Sequence, residues 1–369
     1  MVRSGVGRMG DMRTLPVKFR DHVINIDRIK PSDRTRLDKT RLDKNERISA
    51  FPSDFWQDVL GGITQEIVQS CPETWFLYKK LSSALSIDMD RILLTSGSEM
   101  AIRSCIEAFV PPGGKVVYPE PTFAMVPVYL DLYRALKCPV GYDSKLNLKA
   151  GYLMDSIDHE TSLVILANPN SPTGTSVSNR VVEEILQRAS RFRVPVLVDE
   201  AYYGFCRHTA FDLMDRHPNL VVTRSFSKVA GMAGLRVGYA MGNADVVSLL
   251  EKFRPMYEVN SIGIHFALKI LDNWHIAEEY GRKTIVGRDC FAAFLAEQGF
   301  HVINTETNFV HVDFGELKES VLAGIEAEGI LVRGMLNIHG FENYTRFSVG
   351  PWEVMSRVAE SIRSLIEKI

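Results

Sequence analysis

The chain has 369 residues, 46% hydrophobic and 24% charged, with a formal net charge of −2. That balance belongs to a soluble globular protein, long enough for two domains, with no overall electrostatic pull toward nucleic acid. No apolar run approaches the ~18 residues of a membrane span. The leading stretch MVRSGVGRMGDMRTLPVKF lacks the continuous apolar core of a secretory signal. Cys71, Cys105, Cys138, Cys206 and Cys290 are scattered, with no CxxC pair. Reduced thiols in the cytoplasm are therefore expected, with neither a zinc site nor a disulfide framework.

Residues 1–47 read as an N-terminal arm. Their charged stretch carries a five-residue duplication, TRLDK at 35–39 and again at 40–44, which suits a solvated arm or a short helix. From about residue 48 to 260 helices and short apolar strands alternate. Arg91–Thr95 reads as a strand, and Gly97-Ser98-Glu99 opens a helix running through Ile102, Ile106 and Phe109. Strands follow at Val116–Tyr118, Leu163–Leu166, Val194–Val198 and Leu220–Thr223, with polar residues where they stop. This pattern predicts an α/β fold, a mostly parallel central sheet with helices on both faces. In such sheets the ligand crevice lies at the carboxyl ends of the strands. The last hundred residues, 261–369, read as a smaller α+β domain. It has strands at Phe309–Val312 and Thr345–Val349 and a closing amphipathic helix through Val354, Val358, Ile362, Leu365 and Ile369.

The richest stretch is Ser225 to Tyr239, SFSKVAGMAGLRVGY. A lysine between hydroxyls and glycines, with an arginine eight residues on, suits an amine that forms a Schiff base with an aldehyde cofactor. The neighbouring Ser and Arg side chains then hold the cofactor's phosphate. Pyridoxal 5'-phosphate also needs a carboxylate at its ring nitrogen and a donor to its ring oxygen. Asp199 ends an apolar strand, so its buried carboxylate requires a cation. Tyr202 lies three residues on. Gly97, Ser98 and Glu99 supply backbone N–H groups at a helix start, a good place for phosphate. Phe123 offers a ring for stacking. Asn168-Pro169-Asn170-Ser171-Pro172-Thr173-Gly174 is a rigid turn at another strand end. Arg346, on a largely apolar strand, needs an anion, and Arg333 raises the same question thirteen residues earlier.

In order along the chain, Asn45-Glu46, the Gly97-Ser98 turn, Tyr118-Pro119 with Phe123, NPNSPTG, Asp199-Glu200-Ala201-Tyr202, SFSK, Arg236, Arg333 and Arg346 resemble the class I/II pyridoxal-phosphate-dependent aminotransferases of fold type I. The histidinol-phosphate aminotransferase branch is the nearest match. The resemblance implies that Lys228 holds the cofactor and shuttles the substrate proton, that Asp199 pairs with the ring nitrogen and Tyr202 with the ring oxygen, and that Phe123 stacks on the ring. It implies a phosphate cradle of Gly97, Ser98, Glu99, Ser225, Ser227 and Arg236, with Asn170 as a further contact to the cofactor. Asn45, Arg333 and Arg346 are the substrate contacts, and no metal is implied. It further implies a homodimer with the active site at the subunit interface and an arm that packs with the small domain. Three positions depart from the family pattern. Ser171 stands where Asn is usual, Cys71-Pro72-Glu73 where many relatives have Tyr-Pro-Asp, and the TRLDK repeat where a Tyr-x-Pro-Gly is common. Transamination of a small amino acid or amino-phosphate is the expected reaction, a step in amino-acid metabolism. The same Lys and Asp would also serve a decarboxylase, lyase or cyclase of this fold, acting on phosphothreonine or a hydroxyarginine.

Overall fold

A computed structural model describes residues 17–26, 28, 35–335 and 339–368. The first 16 residues of the arm lie outside them. Thirteen strands are present among the described residues: β1 (Thr40–Arg41), β2 (Ile92–Thr95), β3 (Lys115–Pro119), β4 (Leu136–Val140), β5 (Thr161–Ala167), β6 (Val196–Asp199), β7 (Leu220–Ser225), β8 (Gly238–Gly242), β9 (His301–Ile303), β10 (Phe309–Asp313), β11 (Ile330–Leu331), β12 (Arg333–Gly334) and β13 (Tyr344–Ser348). Seven form the central sheet in the order β2-β8-β7-β6-β5-β3-β4. All neighbours are parallel except β8, which runs antiparallel to both β2 and β7. The sheet is therefore mostly parallel. Strands such as β5, TSLVILA, are apolar on both faces because helices cover both sides.

The helices are α1 (Ser53–Gly61), α2 (Gln65–Gln69), α3 (Trp75–Leu85), α4 (Ser98–Phe109), α5 (Met125–Leu132), α6 (Ala150–Asp155), α7 (Asn179–Ser190), α8 (Ala244–Glu251), α9 (Ser261–Asp272), α10 (His275–Glu297), α11 (Lys318–Ala327) and α12 (Trp352–Ile366). One apolar layer, with Leu77, Val164, Val198 and Ile185, lies on one face of the sheet, and a second, with Ile102, Ile106, Leu163 and Leu197, on the other. No described helix is long and apolar enough to cross a membrane.

The smaller sheet has the order β12-β13-β10-β9, antiparallel throughout. Its core joins Val310, Val312 and Phe347 to Phe291 and Leu295 of α10 and to Met355, Val358 and Ile362 of α12. Helix α9 lies just beyond the boundary expected near residue 260. Its Ile264, Phe266, Ala267 and Ile270 nevertheless pack in the core of the larger sheet. The chain passes from one core to the other along α10, whose Ile276 belongs to the first and Phe291 to the second. The arm contributes β1, which pairs in parallel with β11, Thr40 beside Ile330. Its first TRLDK copy is tied to the second by Arg36, which bonds Asp43 and reaches Glu46 at 3.0 Å.

Candidate active site

The antiparallel strand β8 decides where the site lies. Because it opposes both β2 and β7, those two strands run the same way and end on the same side. Gly238 of β8 registers with Thr95 at the end of β2 and with Ser225 at the end of β7. A Cβ on Gly238 would meet the Ser98 nitrogen at 2.6 Å. Glycine here lets the 97–98 turn lie directly against the strand. On the other side of β7, Asp199 registers with Thr223.

Asp199 is 6% exposed. Thr223 Oγ1 donates to its Oδ1 at 2.6 Å, and no described cation lies within ion-pair distance. Burial pushes its pKa up to about 6, against the hydrogen bonds from Thr223 and Ser98. Tyr202 is also buried. Its Oη accepts from Asn45 Nδ2 at 2.8 Å, and its ring meets Phe309 edge-on at 5.6 Å. Lys228 lies with its Nζ 5.5 Å from the centre of the Tyr202 ring. That amine donates to two consecutive main-chain oxygens of the arm, Lys44 at 3.3 Å and Asn45 at 3.0 Å. Burial lowers its pKa.

Beside them, Gly97 caps α4 at φ +76°, so the first N–H groups of the helix, at Ser98 and Glu99, face outward without helical acceptors. Arg236 reaches over this turn. Its Nη1 donates to Ser227 Oγ at 3.3 Å, and its Nη2 stands 3.7 Å from the Glu99 carboxylate. Ser225 Oγ accepts from the Ser227 N–H at 3.0 Å, which fixes the loop leading to Lys228. The Glu99 carboxylate also accepts from Tyr129 Oη at 2.9 Å. Its backbone N–H, rather than its side chain, is thus the group available to an anion.

The small sheet presents Phe309, His311, Arg346 and Ser348 on one face, while Val310, Val312 and Phe347 fill its core. Arg346 is 6% exposed and has no described carboxylate partner. Its Nη2 donates to Asp43 O at 2.8 Å, and its buried Nε finds no acceptor. Burial holds its pKa down to about 10. Arg333 registers directly across from it on β12 and is exposed. On the other neighbouring strand His311 registers with Arg346, and its Nε2 donates to Pro172 O at 2.6 Å. Burial lowers its pKa to about 4, so it stands neutral.

The structure thus gathers Lys228, Asp199, Tyr202, Asn45, Ser98 and Arg346 into a connected set, with Ser225, Ser227 and Arg236 at one end. Asn170 is engaged elsewhere. Its Nδ2 donates to Pro121 O and Thr173 Oγ1, and its Oδ1 accepts from Thr122 Oγ1. Its amide thus ties the 168–174 turn to the 121–122 segment after β3, and both its protons are engaged within the protein. Asn168 is likewise closed on the main chain of Val177. Phe123 is half-buried against the apolar cluster that includes Ile102 and Leu163 and makes no ring contact with a described aromatic. Sequence reasoning missed Thr223, Ser348 and the carbonyls of Asp43 and Lys44. A polar residue two positions before Ser225, and another two after Arg346, were the signals for the first pair.

These groups fit pyridoxal phosphate. A buried carboxylate without a cation matches a protonated ring nitrogen, and a buried phenol whose proton has no described acceptor matches a ring oxygen. Free helix-start N–H groups beside Arg236 match a phosphate. An amine held only by carbonyls matches an aldehyde.

The family described as aminotransferase class I and II matches residues 69–362. A histidinol-phosphate aminotransferase of Syntrophus aciditrophicus is 31% identical over 345 residues, 91% of this chain and 93% of that protein. Among solved structures, the histidinol-phosphate aminotransferase of Sinorhizobium meliloti in complex with pyridoxal-5'-phosphate superposes with a TM-score of 0.83. It is 21% identical and covers 96% of this chain and 100% of its own. The L-threonine-O-3-phosphate decarboxylase of Porphyromonas gingivalis gives 0.75 at 21% identity, covering 89% and 99%. The chain therefore belongs to the class I and II aminotransferases and is an enzyme that uses pyridoxal phosphate.

Proposed function

We propose that the protein transfers the amino group of a small substrate that carries an anionic group, with histidinol phosphate as the first donor to test. The observation that supports this reading is Arg346, a buried guanidinium without a carboxylate, bonded to the same arm segment that receives Lys228. A planar fork of this kind binds carboxylate or phosphate through two hydrogen bonds. Arg333, across the strand, adds positive charge at the same place.

Bound pyridoxal phosphate supplies an electron sink for the pair left at the substrate Cα. Each residue has a part in holding it and moving the proton. Lys228 would hold the cofactor at its aldehyde and would carry the proton to and from the substrate Cα. Its lowered pKa favours the neutral amine, the form that accepts a proton. Asp199 would keep the ring nitrogen protonated, and Tyr202 would donate to the ring oxygen. The free N–H groups of Ser98 and Glu99 at the Gly97 turn, with Ser225, Ser227 and Arg236, would hold the phosphate, and Phe123 would stack on the ring.

The working unit in this reading is a cytoplasmic homodimer. Large apolar side chains stand exposed on α1 to α3 and at 253–257, among them Trp75 (53%), Phe76 (51%) and Met256 (79%). Such a surface fits a second copy.

The test is amino transfer from a panel of amino acids and amino-phosphates to 2-oxoglutarate, with Lys228→Ala alongside. Transfer by the wild type and none by the variant is expected. Release of carbon dioxide without transfer would replace transamination by decarboxylation, the reaction named for the Porphyromonas neighbour. Activity surviving in Lys228→Ala would end the reading.

A further inference from the structure

We infer that Asn45 and Ser348 aim the hydroxyl proton of Tyr202, so that Asn45 is a positioning residue linking the substrate-side strand β13 to the cofactor ring. The hydrogen bonds form a directed chain in the structure. The backbone N–H of Asn45 donates to Ser348 Oγ at 2.7 Å, which makes that hydroxyl an acceptor there. The hydroxyl's own proton goes to Asn45 Oδ1 at 3.0 Å. The other end of the Asn45 amide is then fixed as its NH₂, which can only donate. It donates to Tyr202 Oη at 2.8 Å. Tyr202 is therefore an acceptor toward Asn45, and its own proton must leave in another direction.

No described residue accepts that proton. Asn45, Ser348 and Tyr202 are 3%, 0% and 6% exposed, so water does not compete for the bonds within the relay. Ser348 is two residues from Arg346 on the same face of the sheet. A serine and an asparagine thus connect the strand that carries Arg346 to the tyrosine. A hydroxyl that accepts one hydrogen bond donates a stronger second one. The inference rests on the reading that Tyr202 faces the cofactor's ring oxygen. There, a stronger donor stabilises the ionised oxygen and lowers the proton affinity of the bound cofactor. Lys228 and Arg346 are the charged groups that act on Tyr202, and every variant below keeps both.

The experiment follows the visible absorbance of bound pyridoxal phosphate against pH. Asn45 has φ +55°, a left-handed conformation, so Asn45→Gly removes the amide while suiting the backbone. Asn45→Gly is expected to raise the titration midpoint by at least about half a pH unit, roughly a threefold gain in proton affinity. Ser348→Ala moves it the same way, and Ser348→Thr, which keeps the hydroxyl, leaves it at the wild-type value. Tyr202→Phe raises the midpoint by itself, and Asn45→Gly added to it has no further effect. A silent Asn45→Gly, or a shift of the same size in the Tyr202→Phe background, overturns the relay alone. A silent Tyr202→Phe overturns the placement of Tyr202 and the relay with it.

Discussion

Arg346 donates from Nη2 to the main-chain oxygen of Asp43, 2.8 Å away, and meets no described carboxylate within ion-pair distance. A guanidinium this buried ordinarily finds a full anionic partner, because a lone carbonyl compensates little of its lost hydration. The arm's carbonyl fits a group that a substrate anion would displace.

Arg346→Ala is accordingly expected to lower kcat/KM for the amino donor by about a hundredfold to a thousandfold, the cost of truncating one partner of a desolvated charge pair. Arg346→Lys keeps the charge and loses the fork, and is expected to recover only part of this. Cofactor affinity should be unchanged in both. Steady-state kinetics showing near wild-type kcat/KM in Arg346→Ala would remove the anion from this place.

Asp199 has a folded-state pKa raised from 3.8 to about 6 by burial. The cofactor-free fold therefore binds more protons than the unfolded chain between those values. Its stability falls as pH rises through that window, and the full cost of the buried charge is present above it. Asp199→Asn removes the charge. The cofactor-free variant is expected to be more stable than the wild type at pH ~7 by roughly 1–3 kcal/mol, with the gap closing toward pH ~4. With pyridoxal phosphate bound the order should reverse, since the wild type alone pairs a carboxylate with the ring nitrogen. Thermal melts with and without cofactor at the two pH values check both signs.

Gly97 sits at φ +76°, and a Cβ there would stand 2.8 Å from Arg236 Nη2. Gly97→Ala strains the turn by about 1–2 kcal/mol and displaces the guanidinium from the helix start. Cofactor affinity measured by equilibrium dialysis is expected to fall at least about tenfold, or about 1.4 kcal/mol. Arg236→Ala should fall similarly while the fold keeps its melting temperature. Unaltered affinity in both would move the phosphate elsewhere.

Glu200, next to Asp199 in sequence, does a different job. Its side chain is 2% exposed and pairs with Arg224, 5% exposed, at 3.0 Å. It also accepts from Thr209 Oγ1 and the Ala210 N–H, and Arg224 lies 3.6 Å over the Tyr203 ring. Glu200→Ala strands a buried cation and is expected to cost about 3–5 kcal/mol of unfolding free energy. A urea titration showing less than about 1 kcal/mol would mean that water reaches the pair.

Much of this molecule is legible from local pattern. The strands read at 163–166 and 220–223 appear as Thr161–Ala167 and Leu220–Ser225, and the helix opened by Gly97 runs Ser98–Phe109. The strands are carried by unbroken apolar runs and the helix by apolar residues three to four apart, signals that lie wholly within each element. The closing helix reads the same way, with Val358 and Ile362 on its buried face. Asn170 shows the limit. Its position at a strand end suggested a cofactor contact, yet its amide is consumed by Pro121, Thr122 and Thr173. Composition says that an asparagine will hydrogen-bond, not to which partner. Helix α9 shows the same limit at larger scale, since its apolar face would suit either core and only packing assigns it.

The sequence by itself determined the elements, the polar strand ends, and the lysine, carboxylate and tyrosine that would meet a cofactor. The tertiary structure alone decided that β8 runs backwards between β2 and β7, which turns the Gly97–Ser98 helix start toward Ser225. It also decided that the arm's carbonyls receive Lys228 and Arg346, and that Asn45 reaches Ser348 across 303 residues of chain to direct Tyr202. Backbone periodicity is written in near neighbours and survives in the linear text. Hydrogen-bond partnership between buried groups depends on which distant segments exclude water together, and that is settled only when the layers pack.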